Sequence, residues 1–223
     1  LQGVRGGVTV VGSAVHGNED NGMLARLARH LGGGTMTFSA AQAEDEVACP
    51  GFPKLARRRD LAANVRGLEI LGYARDAAPA AGGVVIALGV DVAAEAAALA
   101  QGAELFVALT ATSGPALAGA DFVLPATTFA EAEGTFTNFE GRVQRFWPAL
   151  QPPPLARPAW QVLGVLLAGL EEGGTAPATA GDAFHRLGDW HAEYSGLSYD
   201  MIGARGALVN DTVRLGAGAG RGA

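Results

Sequence analysis

The side chains of this 223-residue chain that could do chemistry are few and scattered. Its one cysteine, Cys49, stands beside Pro50 without a nearby histidine, and no G-x-S-x-G occurs, so nucleophilic hydrolysis has no support. A lone cysteine makes no intrachain disulfide and does not supply the thiolates of an iron–sulfur cluster, so Cys49 reads as a buried or idle thiol. His185 and His191, six residues apart, point about 240° from each other around a helix and share no ion without strain. His16 and His30 are isolated, and no metal site is expected. The run Gly12-Ser13-Ala14-Val15-His16-Gly17-Asn18-Glu19-Asp20-Asn21-Gly22 follows an apolar strand, as a phosphate loop would. It contains neither G-x-G-x-x-G nor G-K-[ST], and Glu19 and Asp20 would oppose a pyrophosphate. It reads as a loop ending in a helix cap, or as a family-specific cofactor or packing element.

The elements that would position these residues alternate. Val8–Val11 is a β-branched run, and after the polar loop Met23–Leu31 places Leu24, Leu27, Ala28 and Leu31 on one helical face. Gly32-Gly33-Gly34 ends that helix, and Thr35–Phe38 is extended. Val84–Leu88 and Leu105–Leu109 are apolar throughout, as strands covered on both faces are, and Ala93–Ala100 between them is helix-prone. Strands and helices in this alternation predict an α/β fold, a Rossmann-like parallel sheet flanked by helices with right-handed crossovers. From Ala40 to Ala81 the pattern is weaker, with a Cys-Pro-Gly-Phe-Pro turn at 49–53 and a helix-like stretch from Leu55 to Val65. Arg57-Arg58-Arg59, followed by Asp60, reads as a solvated helix face, with an anion or partner contact as the alternative.

Prolines 148, 152, 153, 154 and 158 exclude helix and mark a stiff connection. The organisation expected is therefore an α/β domain over 1–147, a linker at 148–158, a helical extension over 159–215 and a Gly/Ala tail at 216–223. In the extension Trp160, Leu163, Leu167 and Leu170 form one stripe, and Asp182 is the expected N-cap of a helix carrying Phe184, Leu187, Trp190 and Tyr194. With 49% apolar and 17% charged residues the composition is globular. A net charge of −6 disfavours nucleic acid as a partner. The apolar run Ala159–Leu170 is too short to span a bilayer, no signal sequence opens the chain, and Leu1 in place of Met suggests a fragment or processed chain.

Ala120–Gln144, reading ADFVLPATTFAEAEGTFTNFEGRVQ, is the most informative stretch. A short strand ends at Pro125, an acidic turn follows, and Gly134 and Gly141 bracket an extended run with Phe136, Asn138, Glu140 and Arg142 on one side, where Glu140 and Arg142 could pair. Asn138 and Glu140 either satisfy backbone groups in a β-excursion or stand beside a cofactor or subunit seam. This stretch resembles the signature of molybdopterin oxidoreductases, a family that includes formate dehydrogenases and the large G subunit of bacterial NADH-quinone oxidoreductase, complex I. Gly17–Asn21 is similar to the family's asparagine-glutamate loop, Asn64 with Gly67–Gly72 to a segment of the complex I subunit, and Gly196–Tyr199 to the closing motif.

Arg142–Arg145 leading into Arg157–Leu163 looks more like complex I than formate dehydrogenase. The resemblance then implies a non-catalytic scaffold in the peripheral arm of the respiratory complex that passes electrons from NADH to quinone. It would be peripheral to the inner membrane on the cytoplasmic side, not inserted in it, and packed on other subunits of that arm. Iron–sulfur clusters would lie in missing or partner segments, and this chain would bind no cofactor of its own. The alternative is a fragment of a formate-dehydrogenase-like enzyme that keeps a molybdopterin guanine dinucleotide, with Asn18, Asp91 and Asn138 as its contacts. Gly89-Val90-Asp91-Val92 lacks the proline that relatives carry after this strand. No catalytic residue is carried over.

Overall fold

The computed structural model describes residues 7–78, 82–89 and 93–210. Val8–Val11 forms β1, followed by α1 (Asn18–His30), β2 (Gly34–Phe38), a hairpin of β3 (Val47–Cys49) and β4 (Phe52–Arg57), α2 (Val65–Leu71) and β5 (Ala74–Arg75). The chain continues through β6 (Val84–Leu88), α3 (Ala93–Ala100), β7 (Leu105–Thr110) and β8 (Phe122–Pro125). After β9 (Gly134–Thr137) and β10 (Arg142–Phe146) come α4 (Ala159–Leu170), α5 (Ala180–Trp190), α6 (Tyr199–Ile202) and β11 (Ala207–Leu208).

The main sheet has the order β5-β2-β1-β6-β7-β8, and every pairing in it is parallel. Successive side chains of a strand point to opposite faces, and here both faces are covered. Val84, Ile86 and Leu88 of β6 join the core beneath α1, α2, α4 and α5, whereas Val85 and Ala87 pack with Phe106, Ala108 and Leu99 beneath α3. That two-sided burial is why these strands are apolar at every position. The chain winds outward from β1 in one direction and returns to β6 for the other, so the order reverses between β1 and β6. In open α/β sheets such a reversal leaves a crevice at the strands' carboxyl ends.

Several elements differ from the sequence expectation. The stretch from Leu55 to Val65 is not one helix: Leu55–Arg57 belongs to β4, and α2 begins only at Val65. Gly51, at a φ of +78°, turns the chain after Pro50 so that Phe52 returns opposite Cys49, and hairpin pairing overrides a weak helical pattern. The arginine run is therefore no helix face; Arg58 pairs with Glu46 at 3.0 Å and lies over the Phe139 ring. Cys49 is exposed, not buried. Helix α1 starts a turn and a half before Met23, with Gly17 as its N-cap. Helix α5 is capped by Thr179, whose hydroxyl accepts from the Asp182 N–H while the Asp182 carboxylate accepts from the Thr179 N–H, so Asp182 closes the cap from the third helical position. Tyr194 lies beyond α5 in a short 3-10 turn.

The run from Gly134 to Gly141 is not extended throughout. It turns at Asn138–Gly141 and comes back as β10, with Val143 opposite Thr137. Arg142 donates to the Gly206 carbonyl. The proline-rich stretch is extended and tied down at both ends: Ala149 and Leu150 donate to the Ala130 carbonyl, and Arg157 exchanges backbone bonds with Pro125 and Thr127. Beyond it, Trp160, Leu163 and Leu167 of α4 and Phe184 and Leu187 of α5 join the same core as β1 and α1. No helix among the described residues is long and apolar enough to cross a membrane.

Candidate functional site

Four consecutive polar residues, Asn18, Glu19, Asp20 and Asn21, open α1 in a completely buried setting. Polar groups removed from water must be paired within the protein, and each of these four is. The Asn21 amide donates to the carbonyls of Ser13, His16 and Gly17 and accepts from the Ser13 N–H, fixing the loop after β1. Asp20 accepts from the Trp160 N–H at 2.7 Å and from the Gly17 N–H, joining the start of α4 to the cap of α1. Asn18 donates to the hydroxyls of Thr135 and Thr137 and accepts from Tyr194. Glu19 accepts from the Thr135 N–H at 2.8 Å, from its hydroxyl at 2.7 Å and from the Tyr199 hydroxyl at 2.9 Å. Asn64, ahead of α2, accepts from the Thr137 N–H and donates to the His16 carbonyl. Gly67 has no side chain because a Cβ there would stand 2.2 Å from the oxygens of both Asn18 and Asn64.

Burial pushes the Glu19 carboxyl up to about 7 against the pull of the Thr135 donors, and the adjacent Asp20 adds to the rise. Asp20 is also raised by burial, opposed by His16 and by the N–H groups of Trp160 and Gly17. The phenols of Tyr194 and Tyr199 are pushed upward, first by burial. The cluster thus consists of neutral donors around two acids, and its geometry ties three parts of the chain together.

Two clefts lie outside this network. The smaller, about 270 Å³, opens at the carboxyl ends of β1 and β2 beside the strand-order reversal and is lined by Val11, Thr37–Ser39, Asp76–Ala78, Glu95, Ala98 and Leu99. Asp76 has a left-handed φ of +52°, and its carboxylate accepts from the Ser39 hydroxyl at 2.9 Å. The larger, about 750 Å³, lies between the β3–β4 hairpin, α2 and the β9–β10 turn. Its charges alternate, with Arg58 paired to Glu46 and Arg66 to Glu69.

Of the three residues named from sequence, Asn18 is buried with its amide committed to packing bonds. Asn138 caps the β9–β10 turn, accepting from the N–H groups of Glu140 and Arg142, and lines the larger cleft. Asp91 lies outside the described residues. Neither Asn18 nor Asn138 lines the cleft at the strand ends. Ser39 and Asp76, which do, carry no local signal, because Asp76 reaches the end of β2 only through the pairing of β5 with it.

The model of the molybdopterin oxidoreductase family matches residues 16–168, more than half of the chain. The chain belongs to the molybdopterin oxidoreductase family. Among curated relatives of this family, the F420-dependent formate dehydrogenase 2 subunit alpha of Methanococcus maripaludis is 36% identical over 88 residues, 39% of this chain and 13% of the relative. The F420-dependent formate dehydrogenase 1 subunit alpha of the same organism is 32% identical over 88 residues, with the same coverage. The matched segment is thus about an eighth of each relative's length. For the molybdopterin cofactor that membership in the family implies, the described residues offer polar contacts in one cleft but no metal ligands. The cleft at the strand ends presents acceptors suited to a ribose diol, namely Asp76 and Glu95, with the Ser39 hydroxyl beside them. Among the described residues its lining presents no cation to a pyrophosphate, and no cluster of His, Cys, Asp or Glu could hold a metal ion.

Proposed function

We propose that this chain is a cofactor-contacting α/β segment of a formate-dehydrogenase-like molybdopterin oxidoreductase, and that its strand-end cleft receives the nucleoside part of a molybdopterin guanine dinucleotide. The observation that carries this reading is the placement of Asp76 and Ser39 at the carboxyl ends of a parallel sheet, next to its reversal point, in a chain of this family. When bound, the cofactor supplies a metal centre for two-electron oxidation. The chain's own part is to bind and orient: the Asp76 carboxylate accepts hydrogen bonds from ribose hydroxyls, Ser39 holds that carboxylate in place, and Val11 and Leu99 give the cleft apolar walls. Metal ligands, pyrophosphate contacts and any iron–sulfur clusters come from other parts of the longer protein or from partner subunits. The formate dehydrogenase names of the relatives favour this branch over the complex I scaffold expected from Arg142–Leu163.

The test is made on the protein isolated from its host. After denaturation, released pterin is read by fluorescence and GMP by chromatography after acid hydrolysis. Stoichiometric pterin with GMP, and formate-dependent dye reduction by the intact protein, are expected. Asp76→Asn keeps a residue that tolerates the left-handed backbone, and it lowers retained GMP severalfold. Protein free of both pterin and GMP overturns the reading in favour of a scaffold in a respiratory complex.

A further inference from the structure

The Glu19 carboxyl is enclosed from two sides. On one side the backbone closes it in, since a Cβ on Gly17 or Gly134 would stand 2.8 Å and 2.9 Å from its Oε2. On the other side the lid is the half-buried Tyr199 at the start of α6, whose hydroxyl donates to Oε1. Among the described residues its bonded partners are the Thr135 N–H and hydroxyl and the Tyr199 hydroxyl, none of them a cation. Asp20 on α1 and Glu133 ahead of β9 are the acids near this pocket, and His16 faces Asp20. Arg145 of β10 pairs with Glu133, donates to the Tyr199 carbonyl and lies over the Tyr199 ring, 4.3 Å from its centroid. Arg66 of α2, and Glu193 of the 3-10 turn before α6, act on Tyr194.

We propose that Glu19 and Tyr199 form a proton-operated latch: neutral Glu19 keeps α6 closed over α1 and β9, and loss of its proton to solvent favours lifting of the segment around Tyr199 so that water reaches the carboxylate. The geometry gives the direction. A neutral carboxyl is content in this enclosure, where the Thr135 hydroxyl that donates to the ionised form, 2.7 Å away, can turn to accept from the protonated one. An ionised one is held by neutral donors alone and gains hydration only if its one movable wall opens, and burial already places its titration near neutrality. The segment that moves is short: α6 has four residues, capped by Ser198, with Met201 exposed, and it is held down by Ile202 in the core, the Arg145 bond to the Tyr199 carbonyl and the Tyr199 ring against Phe184.

Amide hydrogen exchange on the full chain tests this, read at Met201, Ile202 and Gly203 and corrected for intrinsic rates. One released proton makes the opening constant rise about tenfold per pH unit between about pH 5 and pH 7, with a plateau above that. Modest urea leaves these rates unchanged while accelerating exchange at Val85 and Ile86 in β6, because the lift exposes little surface. Glu19→Gln flattens the pH profile, since its amide oxygen can accept from the Thr135 N–H and its NH₂ can donate to the two hydroxyls. Tyr199→Phe, which keeps the acid, raises opening at every pH and retains the slope. A flat profile in the unaltered chain overturns the latch, as does a slope that survives Glu19→Gln or α6 amides that follow β6 in urea. If Glu19→Gln does not fold, a Glu19 carboxyl carbon shift titrating in step with the exchange profile supports the latch, and one titrating below pH 5 overturns it.

Discussion

Asn21 shows how much a single side chain carries here. Its amide makes four hydrogen bonds to the loop after β1, all of them buried. Asn21→Ala leaves the Ser13 N–H without its partner, whereas the carbonyls of Ser13, His16 and Gly17 keep the His16 N–H, the Asn64 amide and the residue 21 N–H; since an unsatisfied buried group costs about 1–3 kcal/mol, we expect destabilisation of about that size in urea unfolding. Glu19 governs pH instead. Its carboxyl is raised from 4.5 to about 7 in the folded chain, so its contribution is fully present below pH 4.5 and is lost as pH rises through 7. The whole loss is on the order of 3 kcal/mol, of which about 2 kcal/mol falls between pH 5.5 and pH 8; it is read as a lower melting temperature at pH 8 than at pH 5.5, and Glu19→Gln removes most of the difference. The N-E-D-N run is visible in sequence as a motif, but its partners are not. Thr135 and Tyr199 lie 116 and 180 residues away, and no local pattern announces such contacts. Asn18 attracts a cofactor role for the same reason: a polar residue in a loop looks available until its partners are known.

Elements are legible where apolar periodicity marks them. The runs Val8–Val11, Val84–Leu88 and Leu105–Leu109 fall in β1, β6 and β7, because burial on both faces writes itself into every position. Starts of helices are less legible. The first turn and a half of α1 is polar and buried, so an apolar stripe begins only at Met23. In α5 the acid of a capping box passes in sequence for the cap itself. Thr179→Ala tests the corrected assignment: it removes the hydroxyl that accepts from the Asp182 N–H and costs about 1 kcal/mol, whereas Asp182→Asn, which keeps an acceptor, costs less. Both are measured by thermal unfolding at pH 7. The hairpin over 47–57 escapes a reading of local pattern because a Pro-Gly turn specifies a reversal but leaves the type of the next element open.

For the molecule as a whole, the class of fold comes from the alternation of strands and helices, but the order β5-β2-β1-β6-β7-β8 does not, since nothing in a strand's sequence names its neighbours. The order is what places Ser39 and Asp76 beside one cleft, so the cofactor reading depends on information held by the sheet alone. The loss of GMP expected for Asp76→Asn is thus a test of topology as much as of a residue. The helices after the prolines close the same core as the sheet, and their removal would uncover α1.

The network at the start of α1 also has a consequence for synthesis. Its Asn18 and Glu19 wait for Tyr194 and Tyr199, contributed 176 and 180 residues later. While the chain leaves the ribosome, β1 to β8 can pair, yet the polar end of α1 stays wet until nearly all described residues have emerged. Contacts that span so much chain are slow to close, so the polar start of α1 is the last part of that helix to be covered. In the cell, the interval before that cover closes is the one in which a chaperone would find it.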